Sequence, residues 1–130
     1  MRSVFAFLCA IGISAPAGAY ECIVQDFKTF SDEDKAFIQN NLKKTYTLKV
    51  DGDRVRIDMR SDHYQDGTTH YKTIRRSMMS MTAIDDDPAR AGTITVPQDP
   101  QGRIDRNGYF NAVISINGSF YANTWLLKCQ

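Results

Sequence analysis

Two cysteines near opposite ends of the chain constrain its fold more than any other feature of the sequence. Three cysteines are present, and one of them, Cys9, lies in an N-terminal segment that resembles an export signal. The other two, Cys22 and Cys129, are expected to pair if the protein enters an oxidising compartment. Bonded cysteines have Cα atoms within about 7 Å of each other. The first and last strands would therefore be neighbours.

The N-terminal segment has the three parts of a cleaved signal peptide. Arg2 precedes an apolar run over residues 4–13, and Ala17-Gly18-Ala19 supplies the small residues that a signal peptidase needs. We therefore predict a signal peptide at residues 1–19 and one disulfide-linked, β-rich domain at residues 20–130. The protein is expected to be secreted or periplasmic.

The charge balance excludes several classes of partner. The chain has 16 Lys and Arg residues against 15 Asp and Glu residues, and Arg2 would leave with the signal peptide, so the mature charges balance. A basic excess favours binding to nucleic acid or to anionic membranes, so neither partner is expected. No second apolar run approaches the ~20 residues that span a bilayer, so we expect no membrane insertion after signal removal.

Alternation of apolar and polar residues predicts a mainly β fold. The segment at residues 54–60 alternates strictly between apolar and charged side chains, which is typical of a half-buried strand. Other strands are predicted at residues 20–30, 45–50, 68–84, 92–96, 108–116 and 119–129, with a polar loop at 61–67 and a turn at 98–102. Such a series predicts a small antiparallel β-barrel or sandwich, and the cysteine pairing favours a closed barrel.

One segment departs from the strand pattern. Asp32–Lys44 has an acidic start followed by an apolar stripe at helical spacing. Ser31 is the candidate N-cap, and Asp34 stands at the reciprocal position of a capping box. We predict one short amphipathic helix here, after the first strand, which plugs or covers one end of the barrel.

Three aromatic residues near the C terminus, Tyr109, Tyr121 and Trp125, form the predicted binding surface. They belong to a hairpin whose Asn117-Gly118 sequence favours a type I′ turn. Alternation places them on the face opposite three other apolar residues, Phe110, Phe120 and Leu126. If their face is outside, they form a patch for protein or sugar recognition. If it is inside, they surround a small apolar ligand; a third alternative is a two-sided core covered by the helix.

Candidate metal ligands are His63 and His70, which lie within nine residues of each other together with Asp62 and Asp66. Imidazole and carboxylate groups bind zinc or copper, but this spacing matches no zinc signature. A solvated loop is the alternative, and we predict no metal or other cofactor. The Met78-Met79-Ser80-Met81 run offers thioethers, but strand alternation separates Met78 from the other two and favours core packing.

Catalysis has little support in the sequence. Pairing of Cys22 with Cys129 leaves no free thiol in the mature chain, and no GxSxG motif is present. We expect a binding protein rather than an enzyme, one that contacts a protein partner as an inhibitor or interaction module. The alternative is a carrier of a small apolar ligand or a metal. The layout, a compact exported barrel with cysteines near both ends, is similar to that of periplasmic lysozyme inhibitors, although no inhibitory motif is present.

Overall fold

The computed structural model describes residues 18–30 and 34–130, which form eight strands and two helices. The predicted signal peptide lies outside the described residues except for Gly18 and Ala19, which begin the first strand. In chain order the elements are β1 (Gly18–Thr29), α1 (Lys35–Leu42), β2 (Thr45–Asp51), β3 (Arg54–Arg60), β4 (Gly67–Arg76), β5 (Ser80–Asp85), β6 (Ala91–Pro97), α2 (Pro100–Asn107), β7 (Phe110–Asn117) and β8 (Ala122–Cys129).

The eight strands form one closed antiparallel barrel in sequence order. β1 is hydrogen-bonded to β2 on one side and to β8 on the other. Cys22 and Cys129 are register partners across the β1–β8 pair, and they form the disulfide with Cα atoms 4.1 Å apart. The predicted pairing and the predicted closure are both confirmed, and the architecture is a barrel rather than a sandwich.

Alternate residues of each strand point into the barrel, because side chains of a strand lie on opposite faces in turn. Val55 and Ile57 of β3 are buried, as their alternation with charged residues predicts. The most buried side chains of the core include Leu48, Tyr71, Ile94, Ile114 and Leu127. Most charged residues of the strands lie on the outside, while Asp85 of β5 is buried on the inner face, and one apolar interior core stabilises the barrel.

The helix α1 packs against β1 at one end of the barrel and covers part of that end, and it begins later than the sequence indicated. Asp34 is its N-cap rather than a capping-box partner, since the Asp34 carboxylate accepts a hydrogen bond from the Phe37 N–H at 2.9 Å. Ser31 lies outside the described residues. The Phe37 ring packs against Phe27 of β1 with centroids 5.7 Å apart. This contact joins the helix to the barrel core.

The helix α2 was not predicted, because its first residues resemble a turn. Asp99 is the N-cap and accepts a hydrogen bond from the Gly102 N–H at 3.0 Å, while Pro100 occupies the first turn. Proline is favoured at that position, because the N–H groups of the first helical turn have no carbonyl partner within the helix and the one that proline lacks is not missed. Gly108 ends the helix with a φ of 80°, which other residues rarely adopt. The helix contacts β6 and β7 at the end of the barrel opposite α1.

The long strand predicted at residues 68–84 is two strands, β4 and β5, joined by a turn at residues 77–79. The hydroxyl of Ser77 accepts hydrogen bonds from the N–H groups of Met79 and Ser80, and these bonds stabilise the turn. Met78 and Met79 are consequently exposed, and only Met81 packs in the core. The prediction that this methionine run fills the core therefore holds for Met81 alone.

The turn between β7 and β8 also differs from the prediction. Asn117 pairs with Ala122, and the four residues 118–121 form the loop, closed by a hydrogen bond from the Gly118 N–H to the Tyr121 carbonyl at 2.8 Å. A type I′ turn needs positive φ at both central residues, and among the described residues only Gly52 and Gly108 have positive φ. The prediction of a type I′ turn at Asn117-Gly118 is therefore wrong.

The side-chain facing predicted for the last strand is wrong as well. Leu127 and Trp125 of β8 point into the barrel, and Trp125 stands opposite Ile114 of β7. Leu126 therefore points outward, on the opposite face from Phe110. The predicted turn at Asn117-Gly118 would itself have paired Phe110 with Trp125, and directly opposed residues share a face, so the facing prediction did not follow from the turn prediction.

Candidate functional site

The end of the barrel beside α1 is open to a cavity of about 200 Å³, here called the mouth cavity. Its wall is mostly aliphatic and aromatic and comes from five strands. The apolar lining residues are Tyr46, Ile57, Met59, Tyr71, Ile114, Ile116 and Trp125. A concave, mostly apolar wall that also carries a few polar groups is the arrangement typical of small-molecule sites.

Small residues at the beginning of β4 create the space. Gly67 and Thr69 share the inward face with Tyr71, and in register they stand opposite Met59 and Ile57. A Cβ added at Gly67 would have no atom within 4 Å. Gly67 is exposed at the end of the barrel, so its missing side chain leaves the cavity open to solvent there.

A buried hydrogen bond fixes the Trp125 ring in the cavity wall. The indole Nε1–H donates to Asn41 Oδ1 of α1 at 3.2 Å, and the ring packs against Phe27 with centroids 5.1 Å apart. Asn41 is 1% exposed, and its amide donates in turn to the Phe37 carbonyl at 2.9 Å. A buried asparagine is held in place when its polar atoms are paired in this way. The helix therefore orients the largest ring of the cavity.

Two cations line the mouth cavity, and they differ in their partners. The Arg90 guanidinium lies 3.1 Å from the Asp85 carboxylate and 3.5 Å from Asp87, so its charge is compensated. The Lys44 ammonium has no carboxylate within ion-pair distance in the described part of the chain. It lies over the rings of Tyr64 and Trp125, 4.6 and 4.9 Å from their centroids.

Burial changes the acid–base chemistry of several lining groups. Partial removal from water lowers the pKa of Lys44 from its ordinary value, because burial disfavours the charged ammonium. Burial also raises the pKa of the Tyr46 and Tyr71 phenols. Tyr71 adds a smaller contribution to the raised pKa of Tyr46, and the Asp85 carboxylate adds a smaller contribution to that of Tyr71. Both phenols are therefore neutral at physiological pH and present hydroxyl groups without charge.

The structure does not bring Tyr109, Tyr121 and Trp125 together. Trp125 is 5% exposed and lies inside the barrel, while Tyr121 is 45% exposed in the loop at residues 118–121. Tyr109 stands at the other end of the hairpin, with the Lys128 ammonium 4.4 Å from its ring centroid. The prediction of a single shared face is wrong. Of the alternatives, the interior position applies to Trp125, and a role for the two tyrosines in binding stays a prediction.

A different group of exposed aromatic residues lies at the rim beside α1, and of its three members only Tyr121 belongs to the predicted binding surface. Phe30 and Phe120 are 91% and 96% exposed, and Tyr121 follows directly. The Phe30 N–H donates to the Ala122 carbonyl at 3.0 Å, which brings the end of β1 beside this loop. We call Phe30, Phe120 and Tyr121 the rim aromatics. The nearness of Phe120 to the predicted Asn117-Gly118 turn was the signal for an exposed loop residue, but the alternation pattern placed Phe120 on a strand face.

The candidate metal ligands lie apart. His63 is in the loop at residues 61–66 with its ring edge-on to Tyr64, whereas His70 points outward from β4 opposite Arg56. The Asp66 carboxylate accepts a hydrogen bond from the Ser61 N–H. Within residues 18–30 and 34–130, no three His, Cys, Asp or Glu side chains are grouped as metal ligands would be.

Comparisons with protein-family models, with curated proteins and with solved structures find no match for this chain. Neither helix of the described residues has the length and hydropathy needed to cross a bilayer.

Proposed function

We propose that this protein binds a small apolar molecule in the mouth cavity. The observation that supports the proposal is a cavity of about 200 Å³ whose wall is aromatic and aliphatic and includes Trp125. A dry apolar cavity of about 150 Å³ holds benzene, so the ligand would have a body of roughly one ring. The protein would act by binding, as a carrier or sensor of such a molecule, and not by catalysis.

We further propose that binding takes place outside the cytoplasm, in a periplasm or after secretion. The disulfide between Cys22 and Cys129 fits an oxidising compartment, because cytosolic thiols are normally kept reduced. The signal peptide predicted at residues 1–19 agrees with this location. Cleavage after Ala19 would remove two residues of β1 and leave the cysteine pair in place.

Blocking the cavity is expected to abolish ligand binding. Trp125 is the single tryptophan of the chain, so its fluorescence reports directly on the cavity wall. Titration with single-ring probes such as toluene and phenol should change this fluorescence in a saturable way. Ile116→Phe adds a ring at the cavity edge and should weaken binding by at least about tenfold, because the added volume occupies the ligand's space.

The matched control is Ile84→Phe, the same substitution at an exposed position of β5. It should bind the probes as the unchanged protein does, and circular dichroism should show both variants folded. A fluorescence signal that no probe changes, or equal binding by the Ile116→Phe variant, would contradict the proposal.

A second candidate function is contact with a protein partner, and the rim aromatics favour it. Two phenylalanines exposed above 90% on neighbouring segments are unusual for a surface with no partner. Aromatic side chains also contribute much of the binding energy at protein interfaces. Here the partner would cover the rim beside α1, not the three-residue surface that the sequence predicted.

The double variant Phe30→Ser/Phe120→Ser tests this candidate. Immobilised wild-type protein should capture a partner from its own compartment, and the double variant should lose at least about tenfold of that capture. Ile74→Ser removes an exposed apolar side chain from β4, away from the rim, and should capture normally. Equal capture by all three proteins, or none by the wild type, would contradict a rim interface.

A further inference from the structure

The charged side chains that line the mouth cavity in the described part of the chain are both cationic. Lys44 and Arg90 line it, and among the described residues no aspartate or glutamate does. Asp85 and Asp87 both pair with Arg90, whereas the Lys44 ammonium has no ion-pair partner among the residues that the structure describes. A charge that is partly removed from water and lacks an ionic partner attracts an anion more strongly than an exposed lysine does.

The position of Lys44 suits recognition at one end of a ligand. It lies two residues after the end of α1 and over the Trp125 ring, at the side of the cavity next to the helix. Ile57 and Ile114 lie among the buried interior residues of the wall. A molecule with an apolar body could contact these isoleucines while an anionic group at its other end reaches the ammonium.

The two ring contacts help to hold the ammonium at this place. A cation over aromatic faces is stabilised by their negative quadrupoles, but each ring contributes less than a full opposite charge. The three ammonium hydrogens also remain available as donors, since a ring face does not use them all. Lys44 is therefore oriented and still able to bind an acceptor.

We propose that the ligand of the mouth cavity is a small monocarboxylate with an apolar body of about one ring, and that its carboxylate pairs with Lys44. This inference rests on the proposed function and adds the chemical class of the ligand. A charge-assisted hydrogen bond from an ammonium to a carboxylate is stronger than one between neutral groups. The neutral phenols of Tyr46 and Tyr71 add hydroxyl groups near the apolar body without repelling the anion.

The test compares three probes of similar shape: phenylacetate, neutral phenylacetamide and cationic 2-phenylethylamine. Their dissociation constants are measured by calorimetry and by Trp125 fluorescence on the oxidised protein. Phenylacetate should bind at least about tenfold more tightly than phenylacetamide, and the amine should bind most weakly. Added salt should weaken the binding of phenylacetate far more than that of the amide.

Lys44→Met keeps an unbranched apolar side chain and removes the charge. It should bring the affinity ratio between phenylacetate and phenylacetamide close to one, with the amide affinity retained. Lys43→Met makes the same change at the exposed neighbouring lysine and should leave the ratio intact. Lys44→Gln serves the same purpose if the methionine variant does not fold.

The outcomes separate this inference from the proposed function. Equal binding of phenylacetate and phenylacetamide to the wild type, or an unchanged ratio in both Lys44 variants, overturns the carboxylate assignment and leaves apolar binding intact. Failure of all three probes, and of the uncharged single-ring probes, overturns both.

Discussion

Reduction of the disulfide is expected to lower the free energy of unfolding by about 4–5 kcal/mol, the largest effect that we expect from any single change. The bond closes a loop between residues separated by 107 positions, and a loop of that length restricts the unfolded chain strongly. Typical domains are stable by only ~5–15 kcal/mol, so this loss is a large share of the total. Urea unfolding of the oxidised and reduced protein measures the difference.

The double variant Cys22→Ala/Cys129→Ala supplies the control for this experiment. It should resemble the reduced protein, and added reductant should no longer change its unfolding curve. Both cysteines are buried in the core, so part of its loss will come from packing. If reduction changes the unfolding free energy of the wild type by less than about 1 kcal/mol, the entropic account of the disulfide is wrong.

Leu127→Ala is expected to destabilise the protein by about 3–4 kcal/mol, the second-largest effect. The Leu127 side chain is completely buried in the barrel, and its truncation removes apolar contacts and leaves a cavity. The neighbouring variant Leu126→Ala should cost about 1 kcal/mol or less, since Leu126 lies on the outer face of β8. Thermal or urea unfolding of the two variants measures both values.

This pair of substitutions also tests which face of β8 is inside. The sequence analysis placed Leu126 on the Phe110 face, and that arrangement predicts the reverse order of the two effects. A larger loss for Leu126→Ala than for Leu127→Ala would therefore contradict the register of β8 against β7.

The sequence predicted those parts of the fold that depend on local chemistry or on covalent geometry. Strict alternation in β3 predicted a strand with one buried face and one solvent-exposed face. The expected disulfide between Cys22 and Cys129 predicted that the first and last strands are neighbours. Errors arose where two local signals compete. Pro100 and Gly102 suggest a turn, yet Asp99 and Gly108 cap a helix around them.

The candidate site was only partly visible in the sequence. Trp125 was singled out, but the four-residue loop changes its partner on β7, which is Ile114, whereas a two-residue turn at Asn117-Gly118 would pair it with Phe110. The mouth cavity itself arises where small residues on β4 stand opposite Met59 and Ile57 of β3, and its wall is completed by Trp125 of β8, which is distant from them in the chain. Lys44 had no local signal at all, since a lysine at the end of a helix is common.

The disulfide also determines how the molecule would respond to mechanical tension. Cys22 and Cys129 lie close to the two ends of the described chain, and the Gln130 N–H donates to the Glu21 carbonyl beside them. A force that pulls the ends apart would pass through the sulfur–sulfur bond and bypass the intervening strands. Tension applied between the two termini would therefore leave the barrel almost unloaded, and the cavity would keep its shape.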